Sequence, residues 1–263
     1  MRGLTLVVLA LAVCAHGAVM NEPITLNYHE DIGIPEAARI KAAEEAFDSG
    51  ITTRIVGGSL ASLGQFPYQA GLVITLQNGA TSVCGASMLT TTRCVTAAHC
   101  WFDGRQNARQ VTVVLGSTRL FSGGTRVSTS NVQIHASYNT NNLNNDIAMI
   151  SMNPVTNIQP IALASGTNTF AGATAVASGF GRTIRRGVAL SFVNVPVITN
   201  AVCAQTFGTN VIVTSTICTS GASGRGTCGG DSGGPVITTS RDQACLCGFL
   251  VIEMWLCNKF MIL

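Results

Sequence analysis

Short runs rich in Val, Ile and Thr recur along this chain, each closed off by Gly, Asn or Ser, and that alternation constrains the fold more than any other feature. Residues branched at Cβ fit a pleated, half-buried surface, while Gly, Asn and Ser clusters break it into turns. Gln69–Leu76, Gln110–Leu115, Arg126–His135, Ala148–Met152, Ala173–Gly179 and Val193–Ile198 read as strands. Their spacing suits a barrel or a sandwich, and no internal repeat divides the chain into copies. With 263 residues the chain can bury a sizeable core in one or two domains, and its fold class is expected to be all-β.

The N-terminal end departs from this texture. Met1-Arg2-Gly3 is followed by an apolar run from Leu4 to about Ala15, then small residues. One basic residue, a short hydrophobic stretch and a small-residue cut at Ala15 or Gly17 spell a secretory signal, placed at 1–15. A bilayer-spanning helix needs about 20 apolar residues, more than this run offers. Of the later segments Leu246–Leu256 comes nearest, and Glu253 interrupts it, so no membrane partner is expected. From 16 to 54 the chain reads as a pro-segment. Between Val19 and Arg54 it carries seven acids against three bases, whereas from Ile55 onward five acids face eleven bases. Within it Ile34–Phe47 reads as a helix, with Pro35 at its start and Gly50 beyond its end. The basic residues of the body are scattered, which argues against a nucleic-acid partner.

Export puts the ten cysteines in an oxidising compartment, where disulfides are the default. Cys14 leaves with the signal, and the nine that remain cannot all pair within one chain. A metal site is not expected. Cys245-Leu246-Cys247 and Cys94 near His99 come nearest to ligand spacing, and neither completes a set.

Three strings carry chemistry. Gly226-Thr227-Cys228-Gly229-Gly230-Asp231-Ser232-Gly233-Gly234-Pro235 surrounds a serine with glycines. A nucleophilic Ser needs backbone N–H groups aimed at the developing oxyanion, and glycine permits the tight loop that supplies them. In Val95-Thr96-Ala97-Ala98-His99-Cys100 a histidine is offered as the base that Ser requires. Asn145-Asp146-Ile147-Ala148-Met149-Ile150 opens an apolar strand with a carboxylate. Alone, His99 would read as a structural histidine and Asp146 as a strand-edge cap. The three strings in the order His, Asp, Ser change that reading.

From Ile55 to about Arg241 the sequence closely resembles the chymotrypsin-like serine protease family. Through Cys84-Gly85-Ala86-Ser87 and Gly224-Arg225-Gly226-Thr227-Cys228 it is similar to insect digestive chymotrypsins and crab-collagenase-like enzymes. The resemblance implies two antiparallel six-stranded β-barrels with the active site between them. It implies that Ser232 attacks the substrate carbonyl, that His99 moves the proton, and that Asp146 orients His99. The N–H groups of Gly230 and Ser232 would form the oxyanion hole. Cleavage after Arg54 by a trypsin-like protease would free Ile55, whose ammonium would pair with Asp231. Gly226, six residues before Ser232, matches the floor of the primary specificity pocket, which is Asp in trypsin-like members. With no carboxylate there, large apolar or aromatic residues are preferred over Lys or Arg. The family's bridges would join Cys84 to Cys100 and Cys203 to Cys218. Cys94 is expected to be free and buried, and Cys228 to lack its usual partner.

The resemblance thins after Ser232. Only 31 residues follow it, and the tail from about Asp242 to Leu263 matches none of the expected pocket-wall motifs, so the second barrel is expected to be incomplete. A barrel short of strands exposes open edges. The reading favoured by the motifs is a secreted, cofactor-free serine endopeptidase zymogen in a digestive role, with protein or peptide substrates and protein inhibitors as partners. Two others stand beside it: an inactive homologue acting by binding, and a product that does not fold. The intact triad argues against the inactive homologue, and the missing wall argues for it.

Overall fold

The computed structural model describes residues 27–50, 59–164, 170–182, 189–221, 229–240, 243–253 and 259–262. Arg54, Ile55, Gly226 and Cys228 lie outside them.

The first element among the described residues is a π-helical turn, His29–Gly33, that runs into α1, Ile34–Asp48. Pro35 sits in the first turn of α1, where its missing N–H costs nothing, and Gly50 leaves at φ 75°. The helix thus covers the stretch whose sequence reads as helical.

The first sheet is built from β2 (Gln69–Leu76), β3 (Thr81–Thr90), β4 (Arg93–Thr96), β5 (Ala108–Leu115), β6 (Thr125–Thr129), β7 (Val132–Ile134) and β8 (Ala148–Ser151), after the short β1 (Ser59–Leu60). Its order is β6-β5-β2-β3-β4-β8-β7, every pair antiparallel. β6 and β7 are two halves of one bent strand, so the sheet curls until that strand borders both β5 and β8. The sequence suggests a single run over Arg126–His135. The chain breaks it because the Thr129 hydroxyl accepts the Asn131 N–H at 3.0 Å, a local turn that competes with the ladder. In β2 the residues Ala70, Leu72, Ile74 and Leu76 all point into the barrel and are fully buried, the period-two pattern of a strand with one face on the core.

The second sheet contains β9 (Ala162–Leu163), β10 (Thr174–Gly179), β11 (Ser191–Ile198), β12 (Ile217–Ser220), β13 (Pro235–Ser240), β14 (Gln243–Glu253) and β15 (Lys259–Ile262), with α2 (Asn200–Phe207) between β11 and β12. Its order is β1-β11-β10-β13-β14-β15-β12, and β11 also meets β12. This barrel is the partial one. Its seams are short, since β10 joins β13, and β11 joins β12, through only two residue pairs each. The tail nevertheless contributes β14 and β15, which occupy edge positions that would otherwise be open. α2 starts at Thr199, whose hydroxyl caps the Val202 N–H, and ends at Gly208 with φ 79°.

The barrels meet along an apolar seam tied by a Ser178 Oγ–H bond to Gln69 Oε1 at 2.7 Å. At Gly71 any Cβ would press on Leu120 and Phe180, so a glycine lets the second barrel approach β2. Across this seam lies α1: Ala37 and Ile40 are buried with Val83, Val114 and Leu120 on one side and Phe180 and Leu190 on the other. Among the described residues, no helix is long and apolar enough to cross a membrane.

Candidate active site

The site forms where β4 ends and the loop before β13 returns. Ala98–Cys100 makes a single 3₁₀ turn directly after β4, and this turn carries His99. Asp146 stands two residues before β8, the strand that pairs with β4, so the sheet register brings the two side chains together. Asp146 accepts the His99 backbone N–H at 2.7 Å and the ring Nδ1–H at 2.6 Å. An acceptor on that side keeps the proton on Nδ1 and leaves the lone pair on Nε2. Both residues are buried.

Ser232 is also buried, in a turn made by glycines with positive φ, Gly230 at 98° and Gly233 at 81°. A side chain at Gly233 would collide with Thr96 of β4, and one at Gly85 would sit 2.6 Å from the Gly234 Cα. Those two close approaches seat the loop against the barrel that carries His99. The Gly85 N–H donates to the Ser232 carbonyl at 2.6 Å and fixes the loop's height on β3. Asp231 accepts the Gly181 N–H at 2.7 Å, which pins the same loop to the second barrel. Nε2 of His99 and Oγ of Ser232 are each buried without a hydrogen bond.

Cys84 and Cys100 are bonded, with Cα atoms 6.2 Å apart, so β3 is stapled to the turn that carries His99. Cys203 and Cys218 are bonded too, and this bridge ties α2 to β12. Cys94 is free and buried in the first barrel, and desolvation pushes its thiol up to about 12. The Cys84, His99 and Cys100 ligand atoms lie within 4.8 Å of one another, yet the two sulfurs are consumed by the disulfide. Tyr138 is half-buried with its hydroxyl sealed from solvent; loss of solvent first, then the charges of Asp146 and Asp103, raise its pKa and keep it neutral.

Residues that the motifs do not reveal come from the N-terminal segment. The Tyr28 ring lies on the His99 ring with centroids 4.5 Å apart, and its hydroxyl donates to the Val83 carbonyl at 2.9 Å. His29 donates its backbone N–H to Asp103 Oδ2 at 3.0 Å, and its Nδ1 meets the Ser82 hydroxyl at 2.9 Å. Glu36, only 2% exposed, is paired with Arg39 and with Arg182 of the second barrel. The signal available in the sequence was the stripe Glu36, Ala37, Ile40 and Glu44, four positions on one helical face that mix two acids with two apolar residues.

The Trypsin family model matches residues 55–253. A collagenase from Hypoderma lineatum is 39% identical over 195 residues, covering 72% of this chain and 74% of that protein. Trypsin delta of Drosophila melanogaster is 37% identical over 195 residues, covering 70% and 74%. A solved structure of HL collagenase superimposes with a TM-score of 0.72 at 35% identity, over 79% of this chain and 92% of that one. The chain belongs to the Trypsin family of serine proteases, hydrolases that act on peptide or protein substrates. The segment preceding residue 55, α1 included, lies outside the matched region.

Proposed function

We propose that the chain is a secreted serine endopeptidase zymogen, cut after Arg54, that hydrolyses bonds following large apolar or aromatic residues. The observation that carries the catalytic assignment is the two-point grip of Asp146 on His99 beside a serine held by positive-φ glycines. In this reading Ser232 Oγ attacks the substrate carbonyl while His99 Nε2 takes its proton. The tetrahedral oxyanion accepts N–H bonds from Gly230 and Ser232. His99 then protonates the leaving amine, and water repeats the sequence to release the acid. Asp146 stabilises the imidazolium without taking its proton.

Activation by a trypsin-like protease is supported by Arg54-Ile55-Val56-Gly57-Gly58, which stands at the start of the matched domain. The freed Ile55 ammonium would pair with Asp231, a costly carboxylate to bury without a partner cation. The signal at 1–15 supports export.

Specificity follows from Gly226. The relatives include trypsins and a collagenase, so likeness alone does not decide between substrates. A glycine at the pocket floor offers no countercharge to Arg or Lys, which leaves apolar burial to select the substrate, worth about 1–3 kcal/mol per methylene-scale difference. The test is hydrolysis of paired peptide amides ending in Phe or Arg by the chain cut after Arg54, with Ser232→Ala as blank. Preference for Phe is expected. Preference for Arg would overturn the pocket assignment, and turnover by the blank would overturn the nucleophile.

A further inference from the structure

We infer that segment 27–48 is a built-in inhibitor of the protease cleft, which binds as a helix and acts in trans after it has been cut away. This inference rests on the protease reading above.

The segment contacts the catalytic machinery at both ends of the site. At one end the Tyr28 ring packs tilted against the His99 ring and anchors its hydroxyl on Val83, one residue before the Cys84 staple. At the other, Ile32 and Glu36 rest on the loop that precedes Ser232. A Cβ on Gly229 would lie 3.1 Å from Ile32 Cγ2, and a Cβ on Gly230 would lie 3.5 Å from Glu36 Cβ. Gly230 is the proposed oxyanion donor, so the Glu36 stem packs on the loop from which the oxyanion hole would be built. His99 Nε2 and Ser232 Oγ, the two atoms that must reach solvent-borne substrate, are both sealed from it.

The docking is specific on both barrels. Glu36 Oε1 meets Arg182 Nη2 at 2.6 Å, and its Oε2 meets Arg39 at 2.5 Å, so a carboxylate is held where only charge pairing justifies its burial. Glu44 accepts the backbone N–H of Leu120 at 2.6 Å and of Phe121 at 3.1 Å, and the Ser122 hydroxyl at 3.1 Å. Ala37 and Ile40 fill the apolar seam between these polar anchors. This is a helix laid in a groove, with polar residues setting its register.

The helical form also explains why the enzyme would not digest its own cover. Peptide hydrolysis needs a carbonyl presented to the nucleophile in a near-attack geometry, with reacting atoms about 3–3.5 Å apart. In a helix each carbonyl is turned along the axis into an i→i+4 bond and the side chains face outward. Tyr28 and Glu36 therefore reach the site with side chains, and no peptide bond is offered.

The experiment uses the full chain cut after Arg54, with both pieces retained, and follows hydrolysis of a Phe amide against total protein concentration. Specific activity is expected to rise at least about tenfold on dilution, as the leader dissociates, and to fall again when a synthetic 27–48 peptide is added. The Tyr28→Ala/Glu36→Ala double variant should show full activity at every concentration, and the doubly substituted peptide should not inhibit. Specific activity that is independent of dilution and of added peptide would overturn the inference, as would rapid cleavage of the peptide within 27–48. If no dilution shows turnover, the protease reading fails separately. Exchange of a fluorescent 27–48 peptide on the Ser232→Ala chain, read by anisotropy, then still decides: displacement by the native peptide but not by the double variant supports docking, and no binding overturns it.

Discussion

In the proposed mechanism Asp146 is the residue on which the chemistry turns, because its contact with Nδ1 of His99 would fix which nitrogen carries the proton. Asp146→Asn preserves the shape but can stabilise the wrong tautomer, and kcat is expected to fall by ~10,000-fold, the size of effect known for this kind of triad. A loss under tenfold in a correctly folded variant would contradict the assignment. Glu44 makes a different kind of contribution. It is buried and satisfies the N–H groups of Leu120 and Phe121. Glu44→Ala strands those donors, and the uncut chain should lose about 1–3 kcal/mol in chemical denaturation. His29 gives the leader a pH dependence. It is fully buried, and its pKa is lowered to about 4, by desolvation first; Asp103 pulls it upward and His99 pushes it down, while the neighbouring Tyr28 ring and Ser82 hydroxyl carry no charge near neutrality. The docked state therefore favours the neutral imidazole. Docking is at full strength above the free histidine's value of 6.5 and weakens as pH falls, by on the order of a hundredfold near pH 4. Peptide binding measured from pH 7 to 4 should show this slope, and His29→Asn should flatten it.

At the scale of elements, the bridge between Cys203 and Cys218 closes a short loop through α2, with a sequence separation of 15. Replacing both by Ser is expected to cost about 3 kcal/mol, because the loop-closure entropy returns to the unfolded chain. A midpoint unchanged in chemical denaturation would contradict that account. The elements divide by how much of their order is local. β2 was legible because Leu72, Ile74 and Leu76 alternate with less apolar neighbours. β3 was not, since Cys84-Gly85-Ala86-Ser87 has weak strand propensity and is held by ladders to both β2 and β4. The break between β6 and β7 depends on one Thr hydroxyl, a choice that periodicity does not encode. β15 owes its place to pairing with β12, a partner distant in sequence that local pattern does not reveal. In the candidate site, His99, Asp146 and Ser232 could be read from their strings. Tyr28, Glu36 and Arg182 could not, because their meaning arises only when α1 crosses between the barrels.

The whole molecule is two barrels from different halves of the chain, with His99 and Asp146 on the first and Ser232 on a loop of the second. Gly85 and Gly233 let the halves close to backbone contact there, and α1 spans the joint. In the proposed reading this arrangement separates two functions in one chain: the barrels assemble the nucleophile, and the N-terminal segment covers it. The central claim is that Ser232 is a nucleophile activated by His99. It is tested most directly by reacting the chain, cut after Arg54 and diluted, with an organofluorophosphate, and locating the adduct by peptide mass mapping. A single phosphoryl adduct on Ser232, lost in His99→Ala, is the expected result. A folded protein that forms no adduct, or carries it on another residue, would contradict the account.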